Sequence, residues 1–292
     1  MQIKQVFVVG AGLMGAGIAQ VCAQSGINVY LYDLNFDTVK KACDTIAWSV
    51  GKLVEKKKVT GTVDEIMGRI HPKDHMKDVS QADMVIEAVF ENMALKQEIF
   101  KTVDLRVGEH TLLATNTSAI SITELAAVTS HPENVLGLHF FNPVPMMQAV
   151  EVVRGIATCD ETFDAGILFV QSIGKEPICV QRDVGGFLIN RINYMATTEA
   201  MRLVEQGVAT VEDVDKGLRL ASGRKMGIFE TSDMVGLDVT WGALNAIYDE
   251  SRDNRFYPPM ILRRKVAAGE LGRKTGKGWY RYDDQGNRLG PS

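Results

Sequence analysis

The sequence predicts an α/β fold over residues 1–184 followed by an all-helical C-terminal domain over residues 185–292, and three patterns carry that prediction. Strand-like and helix-like runs alternate as far as Pro177-Ile178-Cys179-Val180, the order that builds a mainly parallel sheet covered by helices. The first strand stops at a glycine-rich turn that opens a helix. From Gly186 onward helical periodicity takes over, so the stretch Asp183-Val184-Gly185-Gly186 is the expected domain boundary.

Taken in order, Gln5-Val6-Phe7-Val8-Val9 is β-branched and aromatic, as a strand buried on both faces requires. Ile18, Ala19, Val21 and Cys22 then recur at helical spacing until Ser25-Gly26 ends the helix. Asn28–Asp33 supplies a second strand and completes a β-α-β unit. A long polar helix is expected from Asp37 to near Lys58. Met84–Val89, Leu112–Thr115 and Val135–His139 read as further strands, with helices at Ala94–Leu105 and Ile122–Val128. In the second domain Phe187–Glu205, Val211–Leu220, Asp233–Tyr248 and Pro258–Ala268 read as helices, with no strand of quality.

Composition narrows the function classes. At 292 residues the chain can bury substantial cores, and 46% hydrophobic with 23% charged residues excludes disorder as its dominant state. A net charge of −4 offers neither a nucleic-acid surface nor an anionic-membrane surface. Cys22, Cys43, Cys159 and Cys179 form no C-x-x-C pair, so no metal site and no disulfide framework are expected. No secretory signal follows Met1 and no apolar run is long enough for a membrane span. The expectation is a cytoplasmic protein without a membrane partner, a cleavable leader or a fused second enzyme.

Gly10-Ala11-Gly12-Leu13-Met14-Gly15 matches G-x-G-x-x-G, and its position after a strand and before a helix makes it a Rossmann-type dinucleotide-binding turn. Gly10 permits the tight turn, Gly12 lets the backbone approach a pyrophosphate, and Gly15 allows close packing of helix on strand. The helix N-terminus faces the anion. Asp33 ends the second strand, where its carboxylate would accept from ribose hydroxyls and repel a 2′-phosphate; Leu34-Asn35-Phe36 brings no compensating cation. The predicted cofactor is therefore NAD(H) rather than NADP(H).

The chemistry must come from elsewhere. His139 closes the strand Val135–Leu138 before Phe140-Phe141-Asn142-Pro143-Val144-Pro145, whose prolines force an irregular turn. Glu151 interrupts the apolar strand Ala149–Val153, and a carboxylate there is costly without a partner. Alternation alone leaves open whether Glu151 faces outward. If the chain turns back at the prolines, Glu151 and His139 can face each other as a general acid/base pair.

Several blocks in order carry a resemblance over nearly the whole chain: Gly10–Gly17, Glu87–Asn92, Asn116-Thr117-Ser118, His139–Pro145, Gly186–Arg191 and Gly272–Tyr280. With these the sequence resembles the L-3-hydroxyacyl-CoA dehydrogenase family, most of all its short bacterial 3-hydroxybutyryl-CoA members. The resemblance implies that His139 is the base in the oxidative direction, that Glu151 positions it, and that Ser118 and Asn190 lie near the reacting oxygen. It places Leu13 and Met14 in the cofactor turn, Glu91, Lys96 and Asn116 around the cofactor's ribose and nicotinamide end, and Asn142 in the histidine loop. Ser49, Lys52 and Lys56 share one helix face at i, i+3 and i+7, which read alone is a solvated face. The resemblance makes them, with Ser118, the binding residues for an acyl-CoA. It also implies a homodimer or higher homo-oligomer through the C-terminal domain.

Gln148, where many relatives carry Lys, and Lys225-Met226-Gly227-Ile228, where they often read Pro-Met-Gly-Pro, depart from the pattern and bear on the acyl pocket. Two other functions share the same features. A dehydrogenase of a non-CoA 3-hydroxy acid, of the L-gulonate or carnitine type, is disfavoured by Ser49, Lys52 and Lys56. A non-catalytic NAD-binding structural protein of the crystallin type is disfavoured by the intact Ser118, His139, Glu151 and Asn190 set.

Overall fold

A computed structural model describes residues 2–292, which divide into two compact units between Val184 and Gly185. In the first unit β1 (Gln5–Val9), α1 (Leu13–Gln24) and β2 (Asn28–Tyr32) are followed by α2 (Phe36–Glu55), α3 (Val63–Met67) and β3 (Ile70–Lys73). Then come β4 (Met84–Glu87), α4 (Met93–Asp104), β5 (Leu112–Thr115), α5 (Ile122–Ala126), β6 (Val135–Phe140), β7 (Ala149–Arg154), α6 (Asp160–Ser172) and β8 (Glu176–Val180). Local chemistry fixes several starts. Asn35, Asn92 and Ser121 each cap the helix that follows by accepting a main-chain N–H, and Thr62 with Glu65 forms a reciprocal capping box. α2 buries Val39, Ala42, Ile46 and Val50 at helical spacing, which leaves its opposite face outside the core.

The eight strands form one sheet in the order β3-β2-β1-β4-β5-β6-β7-β8. β1 pairs in parallel with both β2 and β4, so the chain order reverses direction across the sheet at the β1–β4 pair. A crevice opens at the C-terminal ends of strands at such a point. β7 turns back antiparallel to β6, and β8 runs parallel to β7, so these two strands oppose the other six.

Three elements of this unit lie beyond those expected from sequence. β3 has only four residues, including His71 and Pro72, and pairs with β2 at the sheet edge, where proline costs no ladder bond on the outer side. α3 is a single capped turn and a half, and α6 covers β6 to β8.

The second unit contains α7 (Ile189–Glu205), α8 (Val211–Ser222), α9 (Ile228–Val235), α10 (Leu237–Ser251), α11 (Met260–Ala267) and a hairpin of β9 (Tyr280–Tyr282) with β10 (Arg288–Pro291). It is helical, but the hairpin corrects the expectation that no strand follows Gly186. The single helix expected over Asp233–Tyr248 is two, because Gly236 adopts φ +111 and breaks the ladder. The first helix starts at Ile189 rather than Phe187, whose own φ is +45.

Two buried aspartates pin the hairpin to the helices. Asp215 accepts from the N–H groups of Phe229 and Glu230 and from the Tyr280 hydroxyl, at 2.9, 3.0 and 2.8 Å. Asp233 accepts from the N–H groups of Trp279 and Tyr280 and from the Tyr282 hydroxyl, at 2.9, 2.9 and 3.0 Å. Burial holds both carboxyls above the usual aspartate range, against the pull of these donors. Among the described residues no helix is long and apolar enough to cross a membrane, and no cluster of three His, Cys, Asp or Glu could hold a metal ion.

Candidate active site

The glycine turn after β1 has three different reasons for its three glycines. Gly10 has φ +104, and a Cβ there would lie 2.6 Å from the Ala88 carbonyl oxygen. A Cβ on Gly15 would lie 1.8 Å from the Gly10 carbonyl oxygen, so helix and turn pack only without one. At Gly12, by contrast, a Cβ would meet nothing within 4 Å. The fold itself does not need that glycine, whereas a pyrophosphate pressed against the backbone does. No side chain caps the N-terminus of α1 and its first turn has no acidic residue, which leaves the end at Leu13 and Met14 electropositive. Asp33 accepts from Ala11 N–H at 2.9 Å and Asn35 N–H at 3.1 Å, so the carboxylate both shapes the turn and stands beside it. These features fit a dinucleotide.

At the end of β4, Glu87 is buried and accepts from the Lys96 ammonium at 2.7 and 2.9 Å, the Thr115 hydroxyl at 2.7 Å and Val89 N–H at 2.7 Å. Lys96 is wholly buried rather than solvated, with Glu91 also within 3.4 Å of its ammonium. Glu91 in turn accepts from the Thr117 hydroxyl and from the N–H groups of Ser118 and Ala119. The loop that presents Ser118 is thus built on a chain of ion pairs rooted in the sheet. Asn116 ties this loop to β6, its Oδ1 accepting Phe140 N–H at 2.9 Å.

The antiparallel turn-back brings the acid/base candidates together. His139 of β6 and Glu151 of β7 are register partners, and Nδ1 of the ring lies 2.6 Å from Glu151 Oε2. Nε2 lies 3.1 Å from the Ser118 hydroxyl. His139 is 4% exposed and Glu151 fully buried, while Ser118 is exposed, so the line runs from the interior to the surface. A buried carboxylate on Nδ1 orients the ring and leaves Nε2 facing the Ser118 hydroxyl, the arrangement a general acid/base would need. The Phe141 ring, 4.6 Å from the imidazole centroid, flanks it.

Ser49, Lys52 and Lys56 line a groove of about 640 Å³ between α1, α2 and the loop at 142–146, and Gly12, Leu13 and Asn142 line the same groove. Lys52 pairs with Glu55 at the surface. The loop beside His139 rests on α1, where a Cβ on Gly17 would lie 2.8 Å from Val144. Asn190 lies in the first turn of α7, in the second unit.

Some members of this arrangement gave little sequence signal. Glu87 ends an apolar strand and had the same signature as Glu151. Thr115 looks like an ordinary strand end and Thr117 like an ordinary turn residue. Lys175 is 6% exposed, and its ammonium donates to the carbonyls of Val144 and Met147 at 2.7 and 2.6 Å, anchoring the turn between His139 and Glu151. Burial lowers its pKa from the lysine range. A lysine after a glycine predicts none of this.

The chain is similar to known proteins over nearly its whole length. Residues 5–184 match the model of the 3-hydroxyacyl-CoA dehydrogenase NAD binding domain, and residues 186–282 match that family's C-terminal domain. The chain is 40% identical over 286 residues to a probable 3-hydroxybutyryl-CoA dehydrogenase of Bacillus subtilis, covering 98% of this chain and 99% of the relative. It is likewise 40% identical to the mitochondrial hydroxyacyl-coenzyme A dehydrogenase of Rattus norvegicus, covering 96% and 91%. Among solved structures, (S)-3-hydroxybutyryl-CoA dehydrogenase PaaH1 from Ralstonia eutropha superposes with a TM-score of 0.94 at 42% identity, covering 97% of this chain and all of that one.

Proposed function

The chain belongs to the 3-hydroxyacyl-CoA dehydrogenase family, and from that premise we propose that it interconverts L-3-hydroxybutyryl-CoA and acetoacetyl-CoA with NAD(H). The observation that carries the reading is the Ser118–His139–Glu151 line, buried at one end and open at the other.

Gly10, Gly12, Gly15, Leu13 and Met14 hold the pyrophosphate through main-chain N–H groups, and Asp33 receives the ribose hydroxyls. Glu91, Asn116 and Asn142 line the cofactor's other end, with Lys96 fixing Glu91 from below. NAD bound there supplies the hydride acceptor. In oxidation His139 Nε2 accepts the proton of the 3-hydroxyl as hydride leaves C3, and Glu151 stabilises the imidazolium. In reduction the imidazolium returns that proton to the developing alkoxide, and Ser118 donates a hydrogen bond to the same oxygen. For Asn190 a like role rests on the sequence match alone.

Ser49, Lys52 and Lys56 hold the CoA portion. A four-carbon acyl group is supported by the names of the bacterial relatives. The second unit exposes Leu188, Ile192, Val235 and Val239, which supports a homodimer or higher homo-oligomer through that unit. Four free cysteines suit a reducing, cytoplasmic setting.

The test is direct. Acetoacetyl-CoA with NADH is expected to show rapid loss of NADH absorbance, and His139→Ala to reduce kcat by about 10²–10⁴-fold. No turnover with any 3-oxoacyl-CoA, or full turnover by the variant, would overturn the reading.

A further inference from the structure

The groove beside α2 contains a tryptophan that the fold does not use. Trp48 is 69% exposed, whereas α2 packs on the core through its other face, Val39, Ala42, Ile46 and Val50. An indole in a groove offers a flat apolar face to a planar ligand that enters it. Lys41 stands seven residues before Trp48 and Lys52 four after it, all three lining the groove. At the helical rise these are about 10 Å and about 6 Å along the axis, so a cation lies on each side of the ring. Among the described residues neither Lys41 nor Lys56 has an ion-pair partner. Gln20, 3% exposed, lines the same groove, and its amide nitrogen has no hydrogen-bond partner.

An aromatic platform flanked by ammonium groups recognises a nucleobase that carries phosphate on both sides of its ribose. Acyl-CoA has that pattern in its adenosine 3′-phosphate 5′-diphosphate. NAD does not, because it lacks the 3′-phosphate. The groove borders the cofactor turn at Gly12 and Leu13, but its lining does not include Asp33, the residue assigned to the cofactor's ribose.

We propose that Trp48 is the stacking platform for the adenine of the acyl-CoA, with Lys41 and Lys52 meeting the phosphates on its two sides. The proposal deepens the acyl-CoA reading and rests on it. Trp48 thereby sets the preference for the CoA thioester over shorter thioesters of the same acyl group.

The test uses the full-length protein in two arms. By calorimetry with adenosine 3′,5′-bisphosphate, Trp48→Ala is expected to raise Kd about tenfold, and Trp48→Phe to recover most of the loss. In kinetics, the ratio of kcat/KM for acetoacetyl-CoA to that for acetoacetyl-N-acetylcysteamine falls by a similar factor in Trp48→Ala. The proposal is overturned if Kd for the bisphosphate stays within twofold of wild type, or if NADH affinity falls as much as bisphosphate affinity. If wild type reduces neither thioester, the dehydrogenase reading fails, and the calorimetric arm still decides whether Trp48 binds the nucleotide.

Discussion

The first unit buries Glu151 against a histidine ring, whereas the second buries Asp215 and Asp233 against main-chain N–H groups and tyrosine hydroxyls. In sequence all three look alike, as acids within structured segments. Their partners decide what they do. A carboxylate paired to a ring whose other nitrogen meets an exposed hydroxyl holds that ring in one orientation, with the second nitrogen positioned to face a reacting group. A carboxylate that receives two N–H groups and a phenol joins two chain segments.

Substitutions should separate the two kinds of burial. Glu151→Gln retains an acceptor for Nδ1 but removes the charge that stabilises the imidazolium. A fall in kcat on the order of a hundredfold is expected with little change in the unfolding midpoint, measured by steady-state kinetics and thermal melting of one preparation. Asp233→Ala should show the opposite pattern. It leaves the N–H groups of Trp279 and Tyr280 unpaired, so denaturant unfolding should report about 2–4 kcal/mol lost while folded protein keeps its kcat. A kinetic defect in folded Asp233→Ala would erase the distinction.

Smaller effects sharpen it. Lys52→Glu with Lys56→Glu reverses charge on the groove face and should raise KM for acetoacetyl-CoA about tenfold, with KM for NADH nearly unchanged. The smallest effect is one of pH. Burial raises the folded-state pKa of Asp215, so between the unfolded and folded values the fold binds a proton that the unfolded chain has released. That contribution is greatest below the ordinary aspartate pKa and declines as pH rises through the raised one. The stability lost in Asp215→Ala, relative to wild type at matched pH, should therefore be larger in mildly acidic buffer than at neutrality.

The sequence made the nucleotide turn legible because each glycine meets a local demand and the flanking periodicities are strong. His139 and Glu151 were legible as polar interruptions of buried runs, but their pairing depended on the turn-back, which only β-sheet register reveals. β3 was hidden because four residues containing a proline become a strand only by pairing with β2. The β9–β10 hairpin was hidden for a similar reason. Its block Gly272–Tyr280 is glycine-rich because Asp233 presses against it, and a Cβ on Gly278 would lie 2.1 Å from that carboxylate. Lysines are rarely buried, and nothing local signals that Lys96 neutralises Glu87 or that Lys175 holds two carbonyls.

The His139–Glu151 pairing follows from ladder register rather than from the loop that joins the strands. Residues added or removed between Phe141 and Gln148 alter the wall of the groove and leave the His139–Glu151 couple in place. One residue inserted ahead of Glu151 within β7 exchanges the faces of the strand and turns Glu151 away from the ring. The His139–Glu151 couple and the wall of the groove are therefore separately mutable, so the loop can diverge, or be redesigned, without disturbing the pair.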